Sequence, residues 1–146
     1  MCLITYKMKY KRLDFKYTPL QVNTSKTISG SVPLEQTYDA NQNEYAPNYE
    51  LTPCALQPVV GIIDRDNILE SGRVNSELTD IAWYRVENGV EGNALVSTPR
   101  KHVITSSGND AGKLLWYVNA APQKPILLRF KAEYLDSRTN KVHRIT

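Results

Sequence analysis

The stretch from Ile126 to Tyr134 restricts what this chain can fold into more than any other. Ile126, Leu128, Phe130, Ala132 and Tyr134 fall on one side of an extended backbone, and Leu127, Arg129, Lys131 and Glu133 fall on the other. A period of two is what a strand needs when one face meets a core and the other meets water. The same residues in a helix would be spread around its circumference. The run Asp136-Ser137-Arg138-Thr139-Asn140 has the composition of a turn. Residues 141–146 are therefore expected to return as a partner strand.

Further strand candidates are short and separated by turn residues. Residues 6–17 alternate twice with a change of phase at Arg12, which a bulge can absorb, or else form a loose arm until Leu13. Residues 22–30 read as a polar connection, residues 31–34 as a short strand, and residues 36–53 as a long loop rich in Asn, Gln, Tyr and Pro. Residues 54–63 form a strand that Pro58 places at a sheet edge or beside a bulge. Ile81 to Val86 is aromatic and β-branched and stops at the turn Glu87-Asn88-Gly89. Residues 95–97, 102–105 and 114–119 complete the set. No segment carries a sustained helical period with caps, so the expected fold is an all-β antiparallel sandwich. A basic arm or first strand over residues 1–20 would precede a sandwich domain over residues 21–146.

Composition narrows the function classes. A chain of 146 residues with 41% hydrophobic and 23% charged residues is long enough to bury a core without a disulfide or metal. Its two cysteines, Cys2 and Cys54, make no disulfide framework and no zinc motif. No signal-peptide core and no transmembrane-length run is written in it. The formal charge of +3 is uneven: residues 1–30 carry +5, with Lys7, Lys9, Lys11, Arg12, Lys16 and Lys26 set against Asp14. Such a segment suits either an anionic partner or a solvated strand whose lysines discourage edge pairing. The solvated strand is the simpler reading, and nucleic acid is not an expected partner.

The residues Ile81-Ala82-Trp83-Tyr84-Arg85 resemble the central tryptophan strand of an immunoglobulin-like domain, in which the indole fills the space between sheets. The antibody-type disulfide is missing, because no cysteine lies between Ile126 and Thr146. A wider set, Gly30-Ser31-Val32, Gln36 to Ala40, Glu44 to Pro47, Leu51-Thr52-Pro53, Leu56-Gln57-Pro58, Trp83 and the Phe130 to Thr139 hairpin, resembles a group of proteins encoded by phages and prophages of gut bacteria. The resemblance runs from about Gly30 onward and implies an immunoglobulin-like module of a tail-fibre-like or virion-associated chain. It brings no catalytic motif with it. It implies residence in the virion, or in the bacterial cytoplasm before assembly, and protein partners: other virion or surface proteins, or further domains of the same chain. The pattern continues past Thr146, so a truncated frame or a domain cut from a longer protein is expected.

Trp83 and Trp116 could be stacking platforms, but their alternating neighbours place them in the core. Tyr38, Tyr45 and Tyr49, spaced among Asn41, Asn43 and Asn48, are the candidate ligand-binding residues, because tyrosine and asparagine are recognition-loop chemistry. The blander expectation is that they pack down on the sheet. Asp64, Asp66 and Asn67 form a turn, since the later oxygen ligands of a calcium loop are missing. His102 and His143 have no partner at ligand spacing, and no metal or cofactor is expected. Ser106-Ser107-Gly108 lacks the nucleophile-elbow pattern, and no glycine-rich phosphate loop occurs. Carboxylate pairs for glycoside hydrolysis meet only in three dimensions and stay open. The expected function is a non-enzymatic structural or adhesion module acting in assembly or surface attachment. The alternative is a carbohydrate- or cell-surface-binding module using residues 36–50. A homo-oligomer suits either reading, through pairing of exposed strand edges.

Overall fold

A computed structural model of the chain describes residues 16–146. Most of the expected basic arm or first strand over residues 1–20 lies outside the described residues. The remainder is all-β, and its strands pair antiparallel throughout. One sheet has the order β1 (Gln21–Ile28), β4 (Cys54–Ile63), β9 (Leu114–Trp116), β8 (His102–Ile104), with β5 (Gly72–Arg73) also paired to β4. The second has the order β11 (Lys141–Ile145), β10 (Leu127–Asp136), β6 (Thr79–Glu87), β7 (Val90–Ala94). A separate hairpin joins β2 (Thr37–Asp39) to β3 (Glu44–Ala46). Among the described residues the only helical element is the 3₁₀ turn Asn75–Glu77.

The alternation in β10 does what its period dictates. Phe130, Ala132 and Tyr134 are buried, and Leu127 and Leu135 stand on the solvent side. Residues 141–145 return against it, with Ala132 opposite Ile145 and Asp136 opposite Lys141. Trp83 lies beside Phe130 across the β6–β10 pair, their ring centroids 5.3 Å apart. Its indole N–H crosses to the other sheet and donates to the Gly112 carbonyl at 2.7 Å. Gly112 has φ of +93°, and a Cβ there would sit 2.9 Å from both the Phe130 ring and the Pro58 ring. Only glycine fits that approach. The turn after β6 has positive φ at both Asn88 and Gly89, the conformation a two-residue hairpin requires.

The structure departs from the sequence reading at several places, one of them the β2–β3 hairpin inside the loop expected over residues 36–53. Residues 22–30 are not a connection: Gln21 to Ile28 form β1, paired along its whole length with β4. Its polar character reflects an edge position, with six of its residues exposed in unbroken succession from Asn23 to Ile28. Residues 31–34 form no strand, and the expected strand over 95–97 is displaced to Val90–Ala94 by the tight turn. Pro58 is buried in an interior strand, not at an edge. β9 pairs β4 only at Cys54 to Leu56, and β5 pairs it only at Gly61 and Ile62. In the gap between them the Asn75 side chain takes the place of a strand. Its Oδ1 accepts from Val60 N at 3.0 Å, and its Nδ2 donates to the Pro58 carbonyl at 2.8 Å and to the Ala111 carbonyl at 2.9 Å. The Pro58 nitrogen faces that gap, where no ladder bond is required of it.

Candidate binding cavity

β4 runs from one end of the sandwich to the other, and the two ends differ. At the Ile63 end the Arg138 side chain, 1% exposed, enters a ring of acceptors. It donates to Asp136 Oδ1 and Oδ2 at 3.0 and 2.9 Å, to Asp64 Oδ1 at 2.7 Å, to Asp66 Oδ2 at 3.1 Å and to the Thr18 carbonyl at 2.9 Å. Asp64 also accepts the backbone N–H groups of Asp66, Ile68 and Leu69. These backbone donors, Leu69 foremost, hold the Asp64 carboxyl below its ordinary pKa, and the Arg138 hydrogen bond does the same for Asp136. The Asp64-Asp66-Asn67 turn is thus the anchor of an ion network whose carboxylate oxygens already have donors.

The Cys54 end is open. A cavity of about 580 Å³ enters between the sheets there, within the range of small-ligand sites. Its floor is the core itself: Trp83, Trp116, Cys54, Leu56 and Leu128. One wall is the β2–β3 hairpin with Leu34 and Gln36, and the other is the connection from Ala120 to Ile126. All three tyrosines singled out in the sequence line it. Tyr38 and Tyr45 face each other across the hairpin, centroids 4.9 Å apart and planes tilted by 47°. Both are half-buried, and the Tyr38 hydroxyl is hydrogen-bonded to Asn43 Oδ1. Tyr49 differs from them: it is buried, and its hydroxyl donates to the Pro33 carbonyl at 2.6 Å. Burial, followed by the neighbouring Cys54, pushes the Tyr49 phenol up to about 12. It is a scaffold residue, while Tyr38 and Tyr45 are half-buried and line the cavity from the hairpin. The indole N–H groups of both tryptophans are already bonded, to Gly112 and Val118 carbonyls, so those rings offer apolar surface alone.

What holds the walls together had no sequence signal. Gln36 Nε2 donates to Asn119 Oδ1 at 2.6 Å and to the Pro47 carbonyl at 2.8 Å, while its Oε1 accepts from Ala120 N at 2.9 Å. Asn119 also accepts from Tyr49 N at 2.9 Å and donates to Asn48 Oδ1 at 3.0 Å. Gln36 and Asn119 are 83 positions apart, and nothing in either segment announces the other. Lys26 and Lys124 also line it, and among the described residues no Asp, Glu or His does. Alternation along the hairpin explains part of this: with Tyr38 opposite Tyr45 on the cavity side, Asp39 and Glu44 are paired on the outer side. The Cys54 thiol is buried, and its pKa is raised by that burial. It stays protonated at neutral pH and acts as a small apolar group.

His102 lies outside the cavity, stacked at 6.0 Å on the Trp116 ring. His143 sits on β11 opposite Tyr134. Among the described residues no three His, Cys, Asp or Glu side chains converge as a metal site, and no helix is long and apolar enough to cross a membrane. No protein-family model, curated protein or solved structure matches this chain.

Proposed function

We propose that this chain is a non-enzymatic attachment module of a phage- or prophage-encoded protein, and that it takes a surface sugar into the open end of an immunoglobulin-like sandwich. The observation that carries the reading is the cavity built around Tyr38 and Tyr45. Tyr38 and Tyr45 line it together with a floor of core side chains, and among the described residues the lining holds no carboxylate or imidazole to move a proton. Such a site binds by shape, ring contact and a few hydrogen bonds. Strand order supports the immunoglobulin-like assignment. β1-β4-β9-β8 follows the A-B-E-D sheet of that plan, and β11-β10-β6-β7 follows G-F-C with one added strand. Trp83, on the C-equivalent β6, fills the space between the layers. The phage assignment rests on the sequence resemblance.

The test is a glycan array of bacterial surface polysaccharides probed with the intact chain and with Tyr38→Ala and Tyr45→Ala. The intact chain is expected to bind a restricted set of glycans, and each variant to lose about tenfold in affinity, the scale of one stacked ring. Undiminished signal from Tyr45→Ala would remove the sugar-binding reading.

A further inference from the structure

The charged groups of the cavity are of one sign. Lys26 reaches its lining from β1 and Lys124 from the 120–126 connection, and among the described residues they are the only ionisable side chains there besides the tyrosines and Cys54. The acidic residues of the hairpin, Asp39 and Glu44, are turned outward by strand alternation, and Asp39 is engaged by the backbone N–H groups of Asn41 and Gln42. The position of Lys26 is informative. Val22, Thr24, Lys26 and Ile28 lie opposite Ile62, Val60, Pro58 and Leu56, so the even-numbered side chains of β1 share the side that meets the core. Lys26, the lysine among them, lines the cavity while staying exposed to solvent. Among the described ion pairs neither lysine has an acidic partner. A ligand that enters an apolar, tyrosine-lined space with two such cations in its lining is best matched when it brings the negative charge itself.

We infer that the cavity selects an acidic sugar, a ring with one carboxylate, whose apolar face lies on the Tyr38–Tyr45 wall and whose carboxylate is held by Lys26 and Lys124. This rests on the sugar-binding reading above and adds the charge of the ligand to it. The experiment is a titration of the intact chain, followed by tryptophan fluorescence and calorimetry, with methyl glucuronide, with methyl glucoside as its neutral counterpart, and with decanoate as an acid without a sugar ring. Methyl glucuronide is expected to bind about tenfold more tightly than the glucoside, the scale of one charge-assisted contact. That preference should shrink in Lys26→Gln and in Lys124→Gln, and should fall as salt is raised. Both substitutions are at exposed positions, and unchanged thermal midpoints would exclude a folding effect. Equal affinity for glucuronide and glucoside would overturn the inference while leaving the sugar-binding reading standing. Binding of decanoate alone would overturn both and mark the cavity as a site for apolar acids. Absence of binding by all three would likewise overturn the inference, and the array would then decide the broader reading separately.

Discussion

Asn75 shows how much one side chain can carry. It is almost fully buried and satisfies Val60 N–H and the carbonyls of Pro58 and Ala111 where no strand is present to do so. Removing it would leave buried backbone groups without partners, and each such group costs about 1–3 kcal/mol. Asn75→Ala is therefore expected to lower stability by roughly 2–4 kcal/mol in a urea titration, while an exposed control such as Asn109→Ala leaves the midpoint nearly unchanged. Asn75→Asp should cost at least as much, because it keeps the acceptor for Val60 but turns a buried carboxylate oxygen on the two carbonyls. The sequence shows Pro58 but not its compensation. A proline in an apolar run argues for an edge on general grounds, and only the partner 17 positions away reverses that conclusion.

At the scale of elements, the Arg138 ring joins the turn after β10 to the turn after β4 and to the segment entering β1. Its carboxylates are tied to their donors in the folded state, so the folded pKa values of Asp64 and Asp136 lie below those of the unfolded chain. A depressed folded pKa contributes stability that is complete above the unfolded value, about 4 for a carboxylate, and is lost as pH falls through the folded one. Thermal midpoints should thus hold level from neutral pH to about pH 5 and decline steeply below about pH 4. Arg138→Met should lower the midpoint at neutral pH and flatten that acid decline, because Asp136 loses its strongest donor. A variant with an unchanged acid profile would show that the network is not what the low-pH transition titrates. Elements whose period is local were legible from sequence: β10, β11, β6 and the Asn88-Gly89 turn each follow from residues within the element. β1 was not, since its core-facing side sets Thr24 and Lys26 between Val22 and Ile28 and so shows no continuous apolar alternation. The candidate tyrosines were identifiable by composition, but the separation of Tyr49 from Tyr38 and Tyr45 depends on Pro33 and Cys54, which no spacing rule connects to them.

Across the whole molecule, one end of the sandwich is closed by charge and the other is left open, with about 30 Å of strand between them at the usual rise of β structure. With the open end binding as proposed, folding and recognition fall to different ends. Substitutions in the Arg138 ring should alter stability with little effect on binding, and substitutions at Tyr38 or Lys26 should do the reverse. Among the described residues the β2–β3 hairpin pairs only with itself, and a lone two-stranded ribbon is marginal in water. Its attachment to the body runs through the amide side chains of Gln36 and Asn119 and not through a shared sheet. It can therefore open while both sheets stay intact, and its amides are expected to exchange with deuterium well before those of β4, β6 and β10. Occupancy of the cavity should then register as slowed exchange confined to residues 37–46, with the core unchanged. The chain would in effect hold its guest with its least secure part, and the strength of that grip could be tuned without disturbing the rest of the molecule.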